Sequence, residues 1–253
     1  ACRQKADATL WRNPTPQLLI IFRAYMDYAS RDNVRGYTFD SATGIRDFQT
    51  VNVSGNLSSG TMAYVTKFLT LGDHQFRFTV QGDYGFLRHA GMMGEDAPMR
   101  KQVVFTNSFG YQAEVSYTLK GNYTLGAKFE ESDLFSRTNS GSRANTAEHR
   151  YVPRVWTQLR LPYGFQFNCE MDYMIVRGAG NRGMDPTQCI LNANLRYQLN
   201  DSWSIRLEGY DLLGEQKPYT NVVSASGRTQ TIVNTLPRYG LLTVAYRFNT
   251  RKK

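Results

Sequence analysis

The chain has 253 residues, a formal charge of +9 and three cysteines, and that length is ample for one sizeable domain. Its longest apolar run, Leu18–Ile21, falls far short of the roughly 18 residues that a membrane-crossing helix needs, and "ACRQKADATLWRNP" at the start has no apolar core of a signal peptide. Lys and Arg are scattered rather than clustered, so no nucleic-acid partner is expected, and Cys2, Cys169 and Cys189 have no metal-ligand spacing, so neither metal nor cofactor is expected.

Residues 1–16 read as a short polar lead. From there the chain alternates with period two, the mark of strands with two different faces. The first predicted strand, 17–30, sets Leu18, Ile20, Phe22, Ala24, Met26 and Tyr28 against Arg23, Tyr25 and Asp27. A long polar connection, 31–57, leads to a weaker strand at 58–70. The turn "LGDH" at 71–74 joins it to 75–88, where Phe76, Phe78, Val80, Gly82, Tyr84 and Phe86 oppose Arg77, Thr79, Gln81 and Asp83. After a connection at 89–101 comes 102–119, with Phe105, Phe109, Tyr111, Ala113, Val115, Tyr117 and Leu119 in one row. "LKGN" at 119–122 turns it into a weaker strand, 122–132.

Beyond a connection at 133–148, strands 149–161 and 163–176 are joined by "LPYG", and the second sets Phe165, Phe167, Cys169, Met171, Tyr173 and Ile175 against Gln166, Asn168, Glu170 and Asp172. A connection at 177–186 precedes strands 187–199 and 202–213, joined by "LNDS". The last connection, 214–236, leads to strand 238–248 and a basic tail, 250–253. Ten strands thus alternate between tight turns of Leu with Gly, Asn, Asp or Pro and long polar connections, which puts all tight turns at one end of a meander.

Two architectures give such strands. In a soluble sandwich the apolar rows pack together; in an outer-membrane barrel they meet lipid and the polar rows face inward. Many of these strands exceed ten residues, the apolar rows tend to end in Tyr, Phe or Trp, and short turns and long loops segregate. Sandwich strands run about five or six residues, whereas tilted membrane-spanning strands need roughly 9–11. The expectation is therefore an all-β, antiparallel, up-and-down transmembrane β-barrel occupying 1–253, in the outer membrane of a Gram-negative bacterium, with the tight turns in the periplasm.

The stretches "YTFDSATG" at 37–44, "NVSGN" at 52–56, "LPYGF" at 161–165, "EGYDLLGE" at 208–215 and "RYGLLTVAYRFN" at 238–249 together resemble the C-terminal half of a TonB-dependent receptor barrel of the Bacteroidota type. The resemblance implies a barrel of 22 strands, of which this chain carries fewer than half, and an N-terminal plug domain that this sequence does not contain. It implies part of the wall of an energised importer of an iron chelate, vitamin, glycan or peptide, and no enzyme. The partners it implies are outer-membrane lipid and lipopolysaccharide, the barrel assembly machinery, and the TonB system through the missing plug. It also implies that Gly240, Leu242, Val244, Tyr246 and Phe248 form the assembly signal of the last strand. The alternatives are a complete small outer-membrane barrel with a binding or protease-like rim, and a soluble β adhesin.

Candidate chemistry is sparse. Parity puts Arg154, Arg160, Glu170, Asp172 and Arg196 on one inward face, a candidate polar cluster for solute, though charge balance in a barrel interior is the favoured account. His89 and His149, with Asp96 and Asp133, are placed near the outer rim, where a protease-like site would lie, and "EESD" at 130–133 offers oxygen ligands without ligand spacing. "RGAGNRG" at 177–183 has no following helix to make a phosphate site and reads as an outer loop. Pairing of Cys169 with Cys189 is left open.

Overall fold

The structure is a computed structural model that describes residues 3–95, 98–139, 145–178, 187–216, 219–224, 227–232, 236 and 238–248. Strands dominate it. The first seven are β1 (Arg3–Thr15), β2 (Leu18–Ala29), β3 (Asp32–Phe39), β4 (Arg46–Val53), β5 (Asn56–Leu71), β6 (His74–Glu95) and β7 (Arg100–Leu119). There follow β8 (Tyr123–Thr138), β9 (Thr146–Arg160), β10 (Phe165–Arg177), β11 (Thr187–Gln198) and β12 (Trp203–Tyr210). The last three are β13 (Tyr219–Ser224), β14 (Gly227–Ile232) and β15 (Tyr239–Tyr246). A single 3-10 turn, Pro162–Gly164, is the only helical element among the described residues, and no helix there is long and apolar enough to cross a membrane.

The main sheet holds 13 strands. Its path runs β1-β2-β5-β6-β7-β8-β9-β10-β11-β12-β15, every pair antiparallel, and it is not closed: β1 and β15 are its edges. The fold class is therefore all-β and antiparallel, with all ten predicted strands present. Five tight connections gather at one end of the path, at 16–17, 72–73, 120–122, 161–164 and 199–202, and the long connections lie at the other. The turn residues explain themselves. Lys120 and Gly121 both take positive φ (52° and 67°), as do Tyr163 and Gly164 (62° and 82°). Asn200 Oδ1 accepts from the amides of Ser202 and Trp203, both at 2.9 Å.

Some elements differ from expectation. Residues 1–16 are not merely a lead, because β1 pairs with β2 from Arg3↔Ala29 to Thr15↔Leu18. Its apolar row is small (Ala6, Ala8, Leu10), and charge pairs across the ladder take the place of bulk: Arg3–Asp27 at 2.6 Å, Lys5–Asp27 at 3.6 Å and Arg23–Asp7 at 2.6 Å. The connections at 31–57 and 214–236 contain the hairpins β3–β4 and β13–β14. The connection at 89–101 is largely absorbed by longer β6 and β7. Within β9, the ladder to β10 skips from Arg154↔Asp172 to Tyr151↔Ile175, because Pro153 has no N–H to donate.

Side chains directly opposite one another share a face of the sheet. One row of the register runs Ile20, Val65, Val80, Ala113, Phe129 across five strands, and another runs Met171, Leu191. These residues lie on the apolar face. The other face carries Thr79, Glu114, Lys128, Arg154 and Asp172 in one row. The principal buried apolar cluster lies at the end of the sheet with the long connections. There β3–β4 folds over the apolar row of β6 and β7, packing Val34, Val51 and Val53 on Ala90, Met92 and Val103. Gly36 allows that approach, since a Cβ there would stand 2.9 Å from the Met92 carbonyl oxygen. β3 then pairs in parallel with the tip of β6, Tyr37↔Met93 to Phe39↔Glu95.

Candidate functional site

Arg154, Arg160, Glu170, Asp172 and Arg196 all stand on the polar face, but register divides them. Arg154 lies directly opposite Asp172 and grips it with two nitrogens, Nε to Oδ1 at 2.6 Å and Nη2 to Oδ2 at 2.7 Å. Its Nη1 reaches Glu170 Oε1 at 3.4 Å. Only the Nη2–Oδ2 contact has hydrogen-bond geometry, and the Nε–Oδ1 approach adds an ion pair without one. Arg160 and Arg196 instead flank Gln166, in a row six residues along β10 from Asp172, and Arg196 Nη2 donates to Gln198 Oε1 at 2.9 Å. The expected five-residue cluster is thus one ion-paired triad and two separate arginines.

The rest of the polar face is similarly paired. Arg77 bonds Glu114, Lys128 Nζ meets Glu130 Oε2 at 2.8 Å, and Arg206 Nη1 lies 3.6 Å from Glu208 Oε1. Between these pairs lie hydroxyl and amide contacts, such as Thr118 Oγ1 to Thr124 Oγ1 and Asn168 Nδ2 to Asn194 Oδ1, both at 2.9 Å. Trp156 crosses this region with its ring against Gly126, where a Cβ would come within 2.1 Å of Cζ2. Periodicity marked the face but not this seat, because Trp156 and Gly126 meet only once β8 and β9 are in register.

The rim residues do not assemble. His149 Nδ1 and Asp133 Oδ1 are 2.7 Å apart on the apolar row, with the Phe135 ring edge-on to the imidazole at 5.5 Å. His89 stands opposite Val104, on the other face, and Asp96 lies outside the described residues. The carboxylates of "EESD" alternate, Glu130 on the polar face with Gln112 and Glu131 on the apolar face with Tyr111, so they do not converge. Among the described residues no three His, Cys, Asp or Glu side chains form a metal-holding group. Most of "RGAGNRG" lies outside the described residues, as does Cys2. Cys169 faces Ala193 and Cys189 faces Tyr173, so both thiols are free and four ladder steps apart.

At the end of the chain, Gly240, Leu242, Val244 and Tyr246 share a row with Gly209, Leu207, Ile205 and Trp203 of β12. Phe248 continues past β15 and meets Tyr246 edge-on, ring centroids 4.6 Å apart. Among the described residues, the far side of β15 has no strand partner. No protein-family model matches this chain, and neither a curated protein nor a solved structure matches it.

Proposed function

We propose that this chain forms part of the wall of a transmembrane β-barrel in the outer membrane of a Gram-negative bacterium, within an energised importer of the TonB-dependent kind. The observation that carries the reading is the band on the apolar face, which is nearly free of charge. On β6 that row runs from Phe76 to Phe86 without a charge, bounded by His74 and Arg88. Ten steps of about 3.4 Å at a tilt of about 45° stand about 24 Å tall, close to the roughly 25 Å lipid band of such barrels. Most charged members of the face lie toward its two ends: Arg12 and Lys67 toward the tight turns, Arg88, Lys101, Arg137 and Arg177 toward the long connections. The exceptions are on β8, where Glu131 stands opposite Tyr111 and Asp133, paired with His149, stands opposite Phe109.

Other features support the same reading. A charged polar face needs water, and an interior wall supplies it. Tyr117, Tyr197, Trp203 and Tyr246 lie near the tight-turn end of the apolar face, where ring amphipathy suits a membrane interface. Two free edges call for further strands, which favours a larger barrel over a small complete one. Gly240, Leu242, Val244, Tyr246 and Phe248 serve as the chain's assembly signal, read by the insertion machinery while β15 is still an open edge.

Surface labelling tests the wall and its direction. Single cysteines are placed at Ala42, in the β3–β4 turn, and at Asp201, in a tight turn, after Cys2, Cys169 and Cys189 are replaced. In whole cells an impermeant thiol reagent should reach the first and not the second. The reverse pattern inverts the topology. Recovery of the folded chain as monodisperse protein without detergent sinks the membrane reading.

A further inference from the structure

The polar face contains one long row without charge. Gln75, Thr118, Thr124, Gln158, Asn168 and Asn194 stand directly opposite one another on six successive strands, β6 to β11. On its side toward the long connections the face is crossed by ion pairs such as Arg77–Glu114 and Arg154–Asp172, and on its other side lies the row of Arg160, Gln166 and Arg196. Two shallow grooves follow the row and meet at Trp156 and Gln158, one leading to Phe68 and the other to Tyr210. Trp156 lies on the polar face where the two grooves meet, its ring seated against Gly126 and partly exposed, which leaves indole surface free for a stacking partner.

The amides beside it are oriented and unspent. Asn168 gives one N–H to Asn194 Oδ1, which leaves Asn168 Oδ1 and Asn194 Nδ2 without a protein partner among the described residues, and Gln158 has none there either. An amide offers donors and acceptors side by side, as a sugar hydroxyl does, so adjacent amides suit a run of hydroxyls. Glu170 and Glu208 border the groove that leads to Tyr210, each charge-compensated by an arginine, Arg154 and Arg206, so the groove carries no net charge to draw an anion and its carboxylates can accept from hydroxyls. An aromatic platform with a few placed polar groups is the general form of a small-ligand site.

We propose that this strip binds a neutral oligosaccharide, laid across the strands with one ring stacked on Trp156 and its hydroxyls on Gln158, Asn168 and Asn194. The inference rests on the polar face being the wet wall of the barrel, and it selects the saccharide among the solutes that such an importer takes. The test uses the full chain folded in detergent micelles, with saturation-transfer NMR reading weak binding of maltohexaose, cellohexaose and xylohexaose, and tetragalacturonate as the anionic control.

At least one neutral hexaose should give a saturable signal that tetragalacturonate does not. Trp156→Ala should weaken it by about tenfold or more, and Trp156→Tyr should keep most of it. Asn168→Leu, which leaves the Trp156 seat intact, should also weaken it, so a folding defect in Trp156→Ala leaves the proposal open to refutation. Silence from all three hexaoses, equal binding of tetragalacturonate, or indifference to both Trp156→Ala and Asn168→Leu overturns it. Protease protection of the same chain in lipid vesicles is measured in parallel. Insertion without a sugar signal sinks the strip alone, whereas failure to insert sinks the wall whatever the sugars do.

Discussion

One apolar row on β6 and β7 has two environments. Toward the long connections, Ala90 is 0% exposed and Val103 8%, covered by Val53 of the β4 strand at 4%. Ten to twelve residues nearer the tight turns, Phe78 is 45% exposed, Val80 59% and Val115 41%, with nothing among the described residues over them. The residue types are alike, so the difference lies in what covers them. Burying a Val or Phe side chain is worth roughly 1.5–3 kcal/mol against leaving it in water. Where the row rises above the band, the chain invests a whole hairpin in covering it. Over the band it invests nothing across eleven strands. A cover from outside the chain accounts for that contrast, and hydrocarbon fits a band of this height and composition.

The sharpest way to break the comparison is to put a charge on the bare row. Val80→Arg or Leu195→Arg should destabilise the membrane-inserted state by about 2–4 kcal/mol, because an outward guanidinium in hydrocarbon has neither water nor a partner. Gln81→Arg, one residue along β6 and on the polar face, should cost clearly less. Thr79 is a poor control, since it is buried and its Oγ1 shares a hydrogen bond with Thr66 Oγ1 at 3.0 Å. Urea unfolding of vesicle-inserted protein measures both variants. A larger loss for Gln81→Arg than for Val80→Arg would exchange the two faces.

Removing atoms separates the two stretches differently. Val53→Ala opens a hole under the hairpin that protein must leave partly empty, and should cost about 1–2 kcal/mol of hairpin stability, read by limited proteolysis between β3 and β4. Val80→Ala, the same change on the bare row, should cost less, because fluid lipid fills the space. Equal costs would mean that the two stretches have the same kind of cover.

Much of this contrast was legible in the sequence. The row Phe76 to Phe86 declares itself by period and bulk, and so do the turns at Lys120–Gly121 and Asn200. β1 was not legible as a strand, because Ala6 and Ala8 make a faint apolar row and its charges make sense only opposite Arg23 and Asp27 of β2. The hairpin β3–β4 was read as a loop because Val34 and Val51 acquire an apolar face only against Ala90 and Val103, a contact distant in sequence. In the polar site, parity placed Arg154 and Arg196 on one face correctly. It could not say that Asp172 belongs to Arg154 alone, since period two fixes faces and only register fixes neighbours.

Phe248 tests the free end of the bare row. At 83% exposed it has almost no packing to lose, so Phe248→Ala should leave the stability of inserted protein nearly unchanged. The amount inserted in cells should nevertheless fall sharply, and Phe248→Tyr should restore it. Heat-modifiable mobility on gels reports folded barrel. Unchanged amounts for Phe248→Ala would remove the last strand's role as an assembly signal.

The smallest expected effect lies in the covering hairpin, at its turn. Asp40 Oδ1 accepts from the amides of Ala42 at 2.9 Å and Thr43 at 3.2 Å, and the Gly44 amide closes back on the Asp40 carbonyl at 2.8 Å. Bonding from the Thr43 hydroxyl, then from those amides, holds the Asp40 carboxyl below its ordinary value. A group with a lowered folded pKa binds protons less well than it does in the unfolded chain. Its contribution is therefore complete above the ordinary Asp value of about 3.9 and is lost as pH falls through the lower folded value. Asp40 is fully exposed, so the effect is confined to the turn. Hydrogen exchange at Ala42 and Thr43 should stay slow from neutral pH to about pH 5, after correction for intrinsic rates, and accelerate below about pH 4. Asp40→Asn should flatten that dependence while the Val53–Ala90–Val103 cover stays protected. If the acid step persists in Asp40→Asn, another group than this carboxylate ties the turn.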